Sequence, residues 1–206
     1  MYVHHRLSLR LKGYDYAQAG AYFVTICTQK RASAFGCVDD GDVRLNDAGR
    51  MVRAVWETLP DRFPGMELDA FVVMPNHMHG IIVIPGRGES GIRPDDSRQP
   101  DSGDHKDRPC GTMAGSLGRI IQAFKSTTTH EYVMGVRRRG WVPFHGRLWQ
   151  RNYYDHVIRN ERKLDKIREY IATNPLRWAL DRENPQRTGH SAEEDALFEI
   201  KRRRRQ

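Results

Sequence analysis

The sequence predicts an α+β fold built on a ferredoxin-like antiparallel sheet of the split βαβ type, with helices on one face and a C-terminal helix that carries a tyrosine. Two observations predict it. Apolar residues alternate or cluster over four short stretches and recur at helical spacing over three longer ones. Their order along the chain is β, α, β, β, α, β with a closing helix, and few topologies accept that order. The same order pairs the first strand with the third.

Residues 1–19 form a basic arm with little periodicity. Residues 21–29, AYFVTICTQ, are rich in β-branched and aromatic side chains and form the first, buried strand. Residues 30–45 contain Gly36 and an Asp39-Asp40-Gly41 turn, the pattern of a small hairpin. Asn46 caps a helix whose apolar stripe is Met51, Val52, Val55, Trp56 and Leu59, closed by Pro60 and Pro64. Residues 68–74, LDAFVVM, are the second strand. Pro75-Asn76 turns the chain into the third, residues 77–84, HMHGIIVI.

Residues 86–114 are rich in Gly, Pro, Ser and Asp and hold few apolar side chains. They bury too little surface to offset ordering entropy and are expected to be a flexible insertion dispensable for chemistry. A second helix, residues 116–132, carries Leu117, Ile120, Ile121 and Phe124. A basic loop is expected from Arg137 to Trp149, and a fourth strand at 153–158. Asn160 caps a helix over 161–173 with Leu164, Ile167 and Ile171 on its apolar face. Asn174-Pro175 ends it, because a residue before proline avoids the helical region. One domain is expected over residues 1–181, followed by a polar, Arg-rich, disordered tail over 182–206.

Composition excludes several classes. No apolar run approaches the ~18–20 residues of a membrane helix, and the polar, basic first residues lack the apolar stretch of a secretory signal. Cys27, Cys37 and Cys110 form no C-x-x-C pair, which argues against a disulfide scaffold or a cysteine-rich zinc module. A cytoplasmic location is expected. Lys and Arg number 34 against 26 Asp and Glu, a net charge of +8. A basic domain of this size suits a polyanion such as nucleic acid.

Two clusters carry chemistry. His77 and His79 stand at i and i+2 of a strand, so their side chains share a face. Two imidazoles placed that way can meet on one metal ion, or can serve as hydrogen-bonded histidines. Met78, Gly80, Ile82 and Ile84 point to the other face, toward a core. On the closing helix Lys163, Lys166, Tyr170 and Asn174 make one stripe beside the apolar face. Cations near a tyrosine favour its phenolate and also hold phosphates. An ordinary amphipathic helix with a boundary tyrosine has the same pattern.

Taken together, MPNHMHGIIVI (74–84), REYIATNP (168–175), RLKGYDYAQAGAYFVTICTQKR, LNDAGRMV and LWQRNYYDHVIRNE resemble the REP-associated tyrosine transposases, single-tyrosine HUH enzymes, over residues 6–180. The resemblance implies cleavage and rejoining of hairpin-flanked single-stranded DNA through a 5′-phosphotyrosine intermediate. It implies Tyr170 as nucleophile, His77 and His79 as ligands of Mg²⁺ or Mn²⁺, and Asn174 at the third-ligand position, often Gln in relatives. It leaves monomer and homodimer both open, since a relative can swap its tyrosine helix between subunits.

Tyr153 and Tyr154 are rival nucleophiles and His156 a rival ligand. DNA contacts are expected from Arg6, Arg10, Lys12, Arg119, Lys125, Arg137, Arg138, Arg139, Lys163, Lys166 and the tail, with unpaired bases stacking on Trp141 or Trp149. A non-catalytic hairpin-binding regulator is the alternative function. A hydrolase using activated water is disfavoured, because H-E-x-x-H and compact carboxylate clusters are missing from the sequence.

Overall fold

The computed structural model describes residues 18–85 and 115–198. The basic arm with Arg6, Arg10 and Lys12, the insertion at 86–114 and the terminal arginines lie outside the described residues.

Four antiparallel strands form the main sheet: β1 (Gly20–Cys27), β4 (Glu67–Val73), β5 (His77–Ile84) and β6 (Tyr154–Ile158), in the order β4-β5-β1-β6. The expected pairing of first and third strands is present, with Gly20 opposite Ile84 and Cys27 opposite His77. This is the split βαβ, ferredoxin-like order. The small hairpin is β2 (Gly36–Asp39) with β3 (Asp42–Leu45), turned at Asp40 and Gly41, both with positive φ.

The period of two sorts the strand residues between two cores. On one face Tyr22, Val24, Ile26, Met78 and Ile82 are buried against α1 (Asp47–Glu57) and α3 (Leu117–Arg139), whose Val52, Trp56, Ile120 and Phe124 point inward. On the other face Phe23 and Ile81 meet Ile167, Tyr170 and Ile171 of α4 (Glu161–Thr173) and Phe198. Asn46 and Asn160 cap their helices as expected, their side-chain oxygens accepting from the backbone N–H of Gly49 and Lys163.

Three expectations are corrected. Arg137, Arg138 and Arg139 do not begin a loop; they are the last turn of α3, stopped by Gly140 at φ 69°. Cations at a helix C-terminus meet the negative end of its dipole, and a glycine accepts the left-handed cap. Pro60 does not close α1; it sits in the first turn of α2 (Leu59–Arg62), where its missing N–H costs nothing. Residues 182–198 are not a loose tail. A 3₁₀ turn, Pro175–Leu180, leads to Asp181, Glu183 and Asn184, all buried, and α5 (Ala192–Leu197) packs on α4.

Candidate metal and tyrosine centre

β5 places the two histidines, and Gly80 lets it lie where it does. A Cβ on Gly80 would stand 2.5 Å from Cζ2 of Trp56, so only a glycine leaves room for that ring beside the strand. His77 and His79 then face the α4 side, 0% and 2% exposed.

Each imidazole is oriented through Nδ1. Asn76 Oδ1 lies 2.8 Å from His77 Nδ1, and Thr25 Oγ1 lies 2.9 Å from His79 Nδ1. A proton on each Nδ1 leaves both Nε2 lone pairs free, the arrangement in which an outer partner prepares a metal ligand. The two Nε2 atoms converge at 3.1 Å. Burial holds both imidazoles below their ordinary pKa; Asp181 pulls His77 the other way, and His77 pushes His79 further down. Both are therefore neutral, the form a metal binds.

Asp181 completes the group. Its Oδ2 lies 3.7 Å from His77 Nε2, and one ligand atom from each of His77, His79 and Asp181 falls within 4.8 Å of the others. Two neutral imidazoles and a carboxylate are a mixed N/O donor set, and with Nδ1 protonated on both rings the two Nε2 lone pairs are directed at one point. Ligand atoms at about 2.1 Å from one ion and cis to each other stand about 3 Å apart, so the donors suit a small divalent ion. Asn174 reaches the cluster through Asp181: its Nδ2 donates to Oδ2 at 2.8 Å, while its Oδ1 is buried without a hydrogen-bond partner. The Glu183 N–H donates to the other Asp181 oxygen at 2.6 Å.

Tyr170 points into the same place, its hydroxyl 3.4 Å from His79 Nε2. Burial, then Asp181 and Glu194, push its pKa up, so the resting phenol keeps its proton. Phe198 covers the ring, with centroids 5.2 Å apart. Burial, then Asp181, lifts the Glu194 carboxyl to about 7. Glu183 behaves oppositely: burial would raise it, but hydrogen bonds from Arg31 and Arg182 outweigh that and hold it at about 2.

The other candidates are sorted by face. Tyr154 lies against Phe23 and Phe198 with the Arg182 guanidinium 5.1 Å over its ring, and His156 also meets Phe198. Tyr153 packs toward the opposite core beneath Lys125. Lys125 Nζ donates to the carbonyls of Gln150 and Asn152, and Lys163 Nζ to that of Leu197. Lys166, Tyr170, Arg177 and Leu197 share the wall of a cleft of about 390 Å³. Arg119 and Arg137–Arg139 are exposed on α3. Trp149 is buried; Trp141 packs on Tyr132.

No protein-family model matches the chain. A Haemophilus influenzae protein described as uncharacterized is 36% identical over 186 residues, covering 87% of this chain and 93% of its own. The two belong to one family. A second Haemophilus influenzae protein, provisionally named a REP-associated tyrosine transposase, is 21% identical over 163 residues, 79% of this chain and 74% of its own. A solved REP-associated tyrosine transposase bound to a REP hairpin superposes with a TM-score of 0.51 at 21% identity, over 82% of this chain and 73% of its own. This chain has the fold of the REP-associated tyrosine transposases. Within that transposase fold the H-x-H pair lies on the central strand β5, and Tyr170 lies on the helix that follows β6.

Asp181, Glu183 and Glu194 escaped sequence reasoning because they follow the motif-bearing segment. The signal that marks them is apolar: Trp178, Leu197 and Phe198 stand in an otherwise polar stretch and anchor it to the sheet.

Proposed function

We propose that this chain is an HUH-type endonuclease and strand transferase acting on hairpin-flanked single-stranded DNA. The observation that carries the reading is the Tyr170 hydroxyl 3.4 Å from His79 Nε2, at the edge of a buried His-His-Asp group. A nucleophile and a phosphate-orienting centre lie within one reach, as in-line attack requires. The transposase of like fold that is bound to a REP hairpin supports the choice of DNA.

His77, His79 and Asp181 would hold Mg²⁺ or Mn²⁺, with Asn174 orienting the carboxylate. The bound ion supplies Lewis-acid polarisation and orientation of the scissile phosphate. Tyr170 Oη attacks phosphorus as its proton passes to water. The P–O3′ bond breaks, the departing O3′ takes a proton from water to become a 3′-OH, and a 5′-phosphotyrosine forms. The exchange of one phosphodiester for another keeps the bond energy available for rejoining.

The test uses purified protein, Mn²⁺ and a labelled hairpin with single-stranded flanks. Wild type is expected to give an adduct that survives denaturation. Tyr170→Phe removes one hydroxyl and is expected to shift the DNA in a gel but form no adduct. Cleavage without an adduct would select water-dependent hydrolysis, and a shift alone a regulator.

A further inference from the structure

Two adjoining cavities lie one loop away from the histidine pair. The larger, about 600 Å³, is enclosed by loop 28–34, the start of α1 and segment 140–148. Tyr132, Trp141 and Phe144 line it, with ring centroids 5.3 and 5.5 Å from Tyr132. The second, about 510 Å³, is lined by Arg147 and Arg151, with no carboxylate in its wall and with Lys125 held there by the carbonyls of Gln150 and Asn152. Arg147 and Leu148 line both cavities and form the partition between them.

That partition is held by main-chain bonds. Gln29 N–H donates to the Leu148 carbonyl at 2.8 Å, and Gln150 N–H to the Cys27 carbonyl at 2.9 Å. Gly146, at φ 75°, makes the turn that precedes the exposed Arg147. On its far side the same loop is tied to the histidine site, because Thr28 N–H donates to the carbonyl of Asn76, which orients His77.

The chemistry selects the occupant. An aromatic wall takes a flat ring, and an adjoining cavity rich in cations takes phosphate. An apolar peptide would leave the cations unused, and a paired base keeps its faces inside the stack. An unpaired nucleotide uses both halves. We propose that the two cavities form a nucleotide-binding site, separate from the Tyr170 centre, in which an unpaired base lies against Phe144 and Trp141 and its flanking phosphates lie on Arg147 and Arg151. The proposal rests on the single-stranded DNA reading above.

The test is binding in a Tyr170→Phe background, without added metal, so that cleavage plays no part. The probes are a fluorescent hairpin with a single-stranded extension and the same hairpin trimmed blunt. Phe144→Ala is expected to weaken binding of the extended probe about tenfold. Arg147→Ala is expected to weaken it and to lower the salt dependence by about one phosphate contact. Neither is expected to change binding of the blunt hairpin. Arg147 is exposed, so its variant stays informative if Phe144→Ala loosens the fold. A 5-iodouracil in the extension is expected to photocross-link to the segment holding Trp141 and Phe144. Unchanged affinity in both variants, equal losses on both probes, or a cross-link confined to another segment would each overturn the site. Failure of the catalytic reading is separate: it would appear as no adduct from the protein with Tyr170 intact, whatever these variants do.

Discussion

Glu183→Gln should loosen the segment that brings Asp181 to the histidines. The Glu183 carboxylate accepts from Arg31 Nε at 2.7 Å, Arg182 Nε at 2.9 Å and Cys27 Sγ at 3.3 Å, and its backbone carbonyl accepts from Asn76 Nδ2 at 2.8 Å. The arginine bonds outweigh burial and bring its pKa to about 2 from an ordinary 4.5. At ~1.4 kcal/mol per unit, ionisation favours the folded state by roughly 3 kcal/mol. Arg31 is 45% exposed, so solvent screening trims the effect toward about 2 kcal/mol. Because the folded pKa is depressed, the contribution is full above the unfolded pKa and is lost as pH falls from about 4.5 toward about 2. Gln copies the protonated carboxyl. Urea unfolding is therefore expected to show a gap of about 2 kcal/mol between wild type and variant near neutral pH, closing in acid. No gap at neutral pH, or one that stays constant into acid, would refute the reasoning.

Calorimetry with Mn²⁺ should show that Asp181→Ala and His79→Ala abolish binding. Asn174→Ala, which removes an outer partner, should cost about tenfold; the reverse order would make Asn174 the ligand. Gly80→Ala drives a methyl into the Trp56 ring and should lower stability by about 1–3 kcal/mol in denaturant titration, whereas wild-type stability would show that β5 and α1 are not packed as described.

The local pattern carried most of the fold. The bounds of β5 and α4, both asparagine caps and the placement of His77 and His79 on one face follow from periodicity and capping chemistry, which act over a few residues. The reach of α3 to Arg139 was hidden because Arg137–Arg139 look like a charged loop until Gly140 and the helix dipole are counted. The site was legible as far as its motifs extended. Asp181 was not, because only the Pro175–Leu180 turn folds it back onto His77. The polar composition of residues 182–198 also misled: Glu183 and Glu194 are buried through ion pairs with Arg31 and Arg182, which no periodicity reports.

The central claim is that Tyr170 carries the covalent bond to DNA. Its most direct test is mass spectrometry of the trypsin-digested product after incubation with Mn²⁺ and a hairpin-flanked single strand. The expected result is a nucleotide remnant on Tyr170, within the peptide that runs from Glu169 to Arg177. A remnant on Tyr153 or Tyr154, or cleaved DNA with every tyrosine peptide unmodified, would contradict it.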